Sequence, residues 1–477
     1  MNRKNYDYDL VIIGGGSAGI VAGNVAGAIG ARVALVEKSR IGGECLWTGC
    51  VPSKALLHAA DVAHTLKNAA AHGFADVLLP REACDGAFGY ARARIAETRN
   101  NDATEAMLKG YGVEIFHGAP RFRDAHTVET PEGDIRAAHV LLATGSAPAV
   151  PNIPGLATSG YLTNTTLFDL TAVPESVGII GGGYIACEMG QSLARLGCRV
   201  TIFERGERLL KRDDAELVAV LAESLRRDGV VIRTGATITG VENGCIHLSN
   251  GSHPTFTHLL VATGRTPNTK SLNLKDVGVQ LSDTGAVITD DHGRTSVANI
   301  YACGDVTGAH LYSHMAEQTA KAVVRNMLLP GSTKLPVSLV PYATFTSPEI
   351  AHVGLSEAKA REKYGDANVT VLRHYFTQDD RAIAEGDTAG LVKVMTVGLT
   401  GKIVGASICG ERAGELIHEW VMALHHGLPI TTIADLVHVY PTLNVSNQRA
   451  AQKWYAGVLS APLATAALHA LGYTPRA

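Results

Sequence analysis

The sequence predicts an α/β chain containing two Rossmann-like domains, and two stretches carry that expectation. Asp9–Ile13 (DLVII) is a short apolar run with β-branched residues, the pattern of a buried parallel strand. It leads into GGGSAG, where Gly14, Gly16 and Gly19 hold the GxGxxG spacing. A small-residue helix follows, then Arg32–Glu37 (RVALVE), a second strand ending in an acid. The same order returns downstream: Ser176–Ile180 (SVGII), GGGYIA with Gly181, Gly183 and Ala186, then Arg199–Glu204 (RVTIFE). Glycines at these places let backbone N–H groups approach a pyrophosphate at a helix N-terminus. Glu37 and Glu204 stand where a carboxylate accepts hydrogen bonds from a ribose. A lone GxGxxG is weak evidence; strand, turn, helix, strand and acid in order, twice, is specific. Two fingerprints imply two dinucleotides, and a nicotinamide with a flavin gives a two-electron relay. Two Rossmann-like domains without ligand are the alternative, and the placement of both acids argues against it.

The 477 residues are 46% hydrophobic and 18% charged. That is too long for one core, so roughly two to four domains are expected. A formal net charge of -3 without a basic stripe gives no pointer to nucleic acid. MNRKNYDYDL runs straight into an apolar strand without the features of a signal peptide, and no run of about eighteen apolar residues suggests a membrane span. Val458–Leu471, interrupted by Pro462 and His469, reads as a packed terminal helix. There are eight cysteines, and only Cys45 and Cys50, in Gly42–Lys54 (GGECLWTGCVPSK), are closely spaced. This is no secreted disulfide framework, and a cytoplasmic setting fits better. Cys84, Cys187, Cys198, Cys245, Cys303 and Cys409 read as ordinary buried or half-buried residues. The close pair is a structural disulfide, half of a metal site, or a redox couple.

Further segments repeat. Val140–Pro148 (VLLATGSAP) and Leu259–Asn268 (LLVATGRTPN) are apolar strands ending in ATG, and Ile300–Gly308 (IYACGDVTG) ends in a small-residue turn bearing Asp305. With GGGSAG, GGECLWTGCVPSK, GGGYIACE and FTSPEIAHVG in this order, the chain from about Asp7 to Ala451 resembles the flavoprotein disulfide reductases of the dihydrolipoamide dehydrogenase, glutathione reductase and mercuric reductase group. The resemblance implies two Rossmann-like dinucleotide-binding domains, for FAD and NAD(P), plus a C-terminal α+β dimerisation domain. Residues 1–150 would be the first part of the FAD domain, 151–280 the NAD(P) domain, 281–335 the return to the FAD domain and 336–477 the dimerisation domain. It assigns Gly14, Gly16, Gly19, Glu37, Lys54, Thr144, Gly145 and Asp305 to FAD. It assigns Gly181, Gly183, Tyr184, Ala186, Glu188, Glu204 and Gly264 to NAD(H). Cys45 and Cys50 would be the redox disulfide, with Cys50 facing the flavin and Cys45 exchanging with substrate. Lys54 matches the lysine near the flavin, Glu188 its ion-pair partner, and Tyr184 the residue that covers the nicotinamide pocket.

Physical chemistry supports the redox role. A thiolate needs positive surroundings and a helix N-terminus, and VPSK supplies a proline near a helix start and a cation one turn in. A zinc site would need two more clustered ligands. A structural disulfide closing so small a loop would stabilise little. Glu204 favours NADH over NADPH by repelling a 2′-phosphate; Arg205 and Arg208 follow, and read as a solvated face.

The pattern breaks near the C-terminus. Dihydrolipoamide and glutathione reductases carry HPTxxE there, whose His acts as acid–base on the partner subunit's disulfide. From His438 this chain reads HVYPTLNVSNQRAA, with Tyr440 in place of the His and Val445 in place of the Glu. A phenol has an unperturbed pKa near ~10, so Tyr440 could donate a proton but would be a poor base. In an extended segment His438 shares a face with Tyr440 and could substitute. Mercuric reductases have a Tyr at this place but end in a vicinal cysteine pair, which ALGYTPRA does not carry, so efficient mercuric ion reduction is not expected. His418, His425 and His426 read as a helix surface or dimer contact, and no metal site is expected. The expectation is a homodimeric, FAD-dependent NAD(H):disulfide oxidoreductase. Its leading substrate would be a lipoyl group on a carrier protein or another small disulfide or dithiol. The alternatives are a diaphorase reducing quinones or metal ions, and a non-catalytic FAD-binding partner or sensor.

Overall fold

The computed structural model describes residues 5–102, 104–459 and 462–473. The first four residues, the last four of ALGYTPRA, and residues 460 and 461 of the expected terminal helix lie outside the described residues. The chain forms two compact units, Met1–Glu207 with Gly229–Val337, and Arg208–Asp228 with Ser338–Ala477.

The first unit opens with β1 (Tyr8–Ile13), α1 (Ser17–Ala28), β2 (Val33–Glu37), α2 (Gly43–Trp47) and α3 (Cys50–Lys67). Helices α4 (Gly86–Asp102) and α5 (Thr104–Gly110) precede β3 (Val113–His117), β4 (Arg121–Asp124), β5 (Thr127–Thr130), β6 (Gly133–Leu142) and β7 (Ser146–Pro148). Then come β8 (Ser176–Ile180), α6 (Tyr184–Arg195) and β9 (Arg199–Phe203). After α7 (Ala215–Arg227), which belongs to the other unit, follow β10 (Val231–Arg233), β11 (Ile238–Glu242), β12 (Cys245–Leu248), β13 (His258–Val261), β14 (Arg265–Pro267), β15 (Ile300–Ala302) and α8 (Ser313–Leu328). One sheet runs β3-β2-β1-β6-β5-β4 with β15 beside β6, and a second, parallel sheet runs β10-β9-β8-β13. In the first, β1 pairs in parallel with both β2 (Leu10 with Val33) and β6 (Ile13 with Leu142). Leu10, Ile12, Leu35 and Leu141 face α1 and α8, while Val11, Ile13, Val36 and Leu142 pack on the opposite side with Phe122 and Val306. Burial on both faces explains why these strands read as continuous apolar runs.

The second unit is an antiparallel sheet, β16-β17-β20-β19-β18, built from β16 (Tyr342–Thr344), β17 (Glu349–Gly354), β18 (Val369–Tyr375), β19 (Leu391–Val397) and β20 (Lys402–Gly410). Its helices are α9 (Glu357–Tyr364), α10 (Asp380–Glu385), α11 (Ala413–Leu416), α12 (His418–His425), α13 (Ile430–Asp435), α14 (Val445–Leu459) and α15 (Pro462–Ala470). Trp420 is fully buried at its centre and donates its indole N–H to Asn447 Oδ1 at 2.7 Å. Within the expected terminal helix over Val458–Leu471, the described residues up to Leu459 belong to α14 and those from Pro462 to Ala470 to α15.

A charged cluster sits inside this unit. Lys393, with a side chain 3% exposed, reaches Asp214 at 2.7 Å, Glu216 at 2.9 Å and Glu357 at 2.7 Å. Burial alone would raise Glu357, but hydrogen bonds from Lys393 and Arg361 bring it down to about 2. Replacing Lys393 by Met removes the salt-bridge partner of the nearly buried Asp214, while Glu216 and Glu357 keep Arg373 and Arg361, so we expect a loss of about 3 kcal/mol, read as a lower denaturant midpoint. Because the folded-state pKa of Glu357 is depressed, its contribution is complete above the ordinary carboxylate range and disappears as pH falls towards about 2. Acid titration of the wild type, followed by tryptophan fluorescence, checks that direction.

Candidate active site

Each nucleotide fingerprint ends its strand in a left-handed glycine, Gly14 at φ +110° and Gly181 at φ +113°. A Cβ on Gly19 would fall 1.8 Å from the Gly14 oxygen, so α1 can lie against its turn only with glycine there. Ala186, fully buried, takes the equivalent place in the second turn. Helices α1 and α6 begin at Gly16 and Gly183 without a side-chain cap. In α7, α9 and α10, by contrast, Asp214, Ser356 and Asp379 accept hydrogen bonds from first-turn N–H groups. The uncapped amides at the two glycine turns are donors placed for phosphate oxygens. Glu37 accepts from the Gly15 and Ser39 amides, both at 2.7 Å, and Glu204 from the Gly206 amide at 2.5 Å. Their carboxylates keep lone pairs for ribose hydroxyls. The two ATG turns lock together: Thr144 donates to the Asn268 carbonyl at 2.8 Å, Asn268 donates back to the Thr144 carbonyl at 2.9 Å, and the Asn268 amide donates to the Gly145 carbonyl at 3.0 Å. The Ala149 amide donates to Gly264 at 2.9 Å. Asp305 accepts from Ser146 Oγ at 2.7 Å. This donor set fits a dinucleotide at each turn.

Cys45 lies within α2 and Cys50 is the first residue of α3. Both are thiols; Cys50 is exposed and Cys45 half-buried. The hydrogen bond from Cys45 is the main influence on Cys50, and with help from Ser313 and the Lys54 charge it outweighs burial and lowers Cys50 to about 6. The same hydrogen bond, followed by burial, pushes Cys45 up. Cys50 therefore carries the charge and Cys45 keeps its proton. Lys54 Nζ is 2.8 Å from Glu188 Oε2, whose side chain is 3% exposed on α6. Tyr184 is the first residue of α6.

Residues not anticipated from the sequence also reach this site. Ser313, the first residue of α8, places its hydroxyl 3.4 Å from Cys50 Sγ. Arg265 donates to Glu44 Oε1 at 2.9 Å, pairs again with Glu44 Oε2, and donates to Ser146 Oγ at 2.7 Å. Asn164 bonds both Glu44 and the Thr48 carbonyl. The turn that carries Cys45 is thus held by a strand and a loop distant in sequence. Glu44 and Arg265 stand inside quoted motifs, but nothing local announces their pairing.

In the second unit, Tyr440 is 65% exposed and donates its hydroxyl to Asp380 Oδ2 at 2.9 Å. That hydrogen bond and the Asp380 charge raise the phenol. His438 does not share its face. Its side chain is 5% exposed, with Nε2 2.9 Å from Glu419 Oε1. The segment around it forms no strand, so the alternation assumed for an extended chain does not apply. His418, His425 and His426 are exposed. Among the described residues, no group of three or more His, Cys, Asp or Glu side chains is gathered for a metal ion, and no helix is long and apolar enough to cross a membrane. Arg208 donates to the carbonyls of Leu210, Lys211 and Asp213 at 2.8–3.0 Å, which engages its guanidinium in shaping its own loop.

The thiol asymmetry has a measurable consequence. Alkylation of reduced protein by iodoacetamide is expected to modify Cys50 first, with a midpoint near pH 6, the reactive thiolate being lost below it. Lys54→Met and Ser313→Ala should each move that midpoint upward, as mass spectrometry of the labelled peptides over pH would show.

Residues 8–325 match the pyridine nucleotide-disulphide oxidoreductase family, and residues 340–451 match its dimerisation domain. A mercuric reductase of Staphylococcus aureus is 37% identical over 454 residues, covering 92% of this chain and 81% of that one. A glutathione reductase of Burkholderia cepacia is 33% identical, covering 92% of this chain and 97% of that one. The solved Cu(II) complex of the HOCl-induced flavoprotein disulfide reductase RclA from Escherichia coli aligns with a TM-score of 0.84 and 28% identity, over 94% of this chain and 99% of that one. The dimerisation-domain match supports a homodimer. The glycine turns, the cysteine pair and these likenesses converge: this chain belongs to the pyridine nucleotide-disulphide oxidoreductase family, as an FAD-dependent, class I flavoprotein disulfide oxidoreductase.

Proposed function

We propose that this enzyme moves electrons from NADH to the Cys45–Cys50 disulfide and on to a thiophilic metal ion that requires no protein base. The observation that carries this reading is the state of Tyr440. It stands at the place of the family's acid–base His, and its hydroxyl is bound to Asp380 and held protonated. Thiol–disulfide exchange needs a group that takes a proton near neutral pH, a step that typically contributes roughly 10²–10⁴-fold. A metal ion needs none, because binding to sulfur itself displaces the thiol proton. Similarity to mercuric reductases, and to a reductase solved with Cu(II), points the same way.

FAD, when bound, relays the electron pair between nicotinamide and disulfide. The residues of the chain do the rest. A hydride equivalent opens the disulfide to one S–H, kept on Cys45, and one thiolate, kept on Cys50 by Ser313, Lys54 and the N-terminus of α3. With Cu(II) as acceptor, two ions become Cu(I), the disulfide re-forms and the Cys45 proton leaves to solvent. Glu204 favours NADH, and the engagement of Arg208 with backbone carbonyls removes one cation that a 2′-phosphate would use.

A second reading, exchange with a lipoyl group on a carrier protein, draws on the His438–Glu419 pair, since an imidazole oriented by a carboxylate is the base such exchange uses. Its burial argues against it in this conformation.

NADH oxidation driven by Cu(II), Hg(II) or lipoamide, measured side by side, separates the two. We expect metal-dependent turnover that falls about 10²-fold or more in Cys45→Ser and changes less than about tenfold in Tyr440→Phe. Lipoamide turnover exceeding metal turnover would overturn the first reading, and its loss in His438→Gln would establish the second. Glu204→Ala should raise the kcat/KM ratio of NADPH to NADH by about tenfold, or about 1.4 kcal/mol of removed repulsion.

A further inference from the structure

A pair of imidazoles lies outside the redox site, one on β12 and one on the segment that folds back along it. The Ile246 amide donates to Pro254 at 2.9 Å and the Leu248 amide to Ser252 at 3.0 Å, while Cys245 bridges Thr255 in antiparallel register. That register sets His247 directly opposite His253. Ile246 and Leu248 point into the core, so Cys245 and His247 share the outward face of β12. The two imidazoles meet with Nδ1 atoms 2.9 Å apart, their ring centroids separated by 4.8 Å at an angle of 61°. His247 also lines a cleft of about 480 Å³ together with Pro154, Gly155, Glu242 and Asn243.

The 2.9 Å separation is that of a hydrogen bond between the two rings, and it is also close to the separation of about 2.8 Å between two nitrogens held cis at about 2.0 Å on a square-planar ion, so small ring rotations let an ion take the place of the shared proton. Tetragonal nitrogen coordination suits Cu(II) and Ni(II), and the order of divalent affinities places Cu(II) ahead. Two donors fall short of a closed set of three or more, so an ion held by this pair would keep open positions and exchange readily. Cys245 directs its Sγ at the His253 carbonyl, 3.4 Å away, and stays outside the ligand pair.

We propose that His247 and His253 form a surface site that binds one Cu(II) ion through their Nδ1 atoms in cis positions, facing the cleft beside β11. On binding, the proton shared between the two Nδ1 atoms leaves to solvent and the imidazole that held it takes one at Nε2, so no net proton change is required. The site is separate from Cys45 and Cys50 and does not depend on which acceptor the redox pair serves.

The test uses full-length, flavin-loaded protein carrying Cys45→Ser, Cys50→Ser and Cys245→Ser, which removes the thiols that would reduce or capture the ion. Titration with Cu(II), followed by electron paramagnetic resonance, is expected to give one equivalent with hyperfine structure from two nitrogens. His247→Gln and His253→Gln should each weaken binding about tenfold or more. Unchanged affinity in either variant, a signal without two nitrogens, or loss of binding in His425→Gln instead would overturn the proposal. Should a variant lose its flavin, diethyl pyrocarbonate labelling of the unsubstituted histidines decides: Cu(II) should protect His247 and His253, and equal labelling with and without Cu(II) rejects the site.

Discussion

Glu188 is a carboxylate with a side chain 3% exposed, and its charge is met by Lys54 at 2.8 Å. Lys54 is 38% exposed, so the cost of separating the pair falls on the carboxylate, whose burial without a partner costs on the order of a few kcal/mol and favours the arrangement of α3 on α6 that brings the two together. The same two helices are joined again where Arg195 meets Asp61 at 2.5 Å and Lys67 donates to the Arg195 carbonyl at 2.8 Å. Cys50 begins α3 and Tyr184 begins α6, so fixing one helix against the other also fixes the thiolate position against the second glycine turn. The contact is therefore both structural and electrostatic. It anchors a cation one turn from a sulfur that must hold negative charge.

The treatment of helix starts follows the same logic. In α7, α9 and α10 a side-chain oxygen closes the N-terminus. Where a helix begins at a glycine turn, as in α1 and α6, that closure is withheld. Helix α3 begins at Cys50 itself, and α8 begins at Ser313, whose hydroxyl reaches the Cys50 sulfur. Unsatisfied donors are a liability in an ordinary fold and a ready anion site here.

What could be read from the sequence was what lies close together along it. The strands DLVII and SVGII, their glycine turns and the acids Glu37 and Glu204 are local patterns in which period, turn and cap residues agree. The contacts around the cysteines are not local. Ser313 is 263 residues from Cys50, Arg265 is 221 from Glu44, and Asn164 is 120 from Glu44. A serine at the start of a helix has no signature separating a sulfur contact from an ordinary polar position. Arg208 was legible as a cation, but its three carbonyl partners depend on a loop in which Leu210 adopts a positive φ of 44°. His438 shows the hazard of assuming a period: without a strand, two residues of separation says nothing about which way a side chain points.

Helix α7 is encoded between two strands of the parallel nucleotide sheet, yet Leu217, Val218, Leu221 and Leu225 are buried on it within the C-terminal unit, where it packs on β17 and β20. The chain therefore crosses between units at residue 208, returns at 229 and crosses again at 338. No single cut separates the two. Cleavage near residue 337 followed by removal of the C-terminal piece would leave α7 behind as an apolar helix without its sheet, and would leave Asp214 and Glu216 without Lys393. In this fold the modules are interlaced, and an exchange of parts between relatives has to carry α7 with the C-terminal unit against the order of the gene.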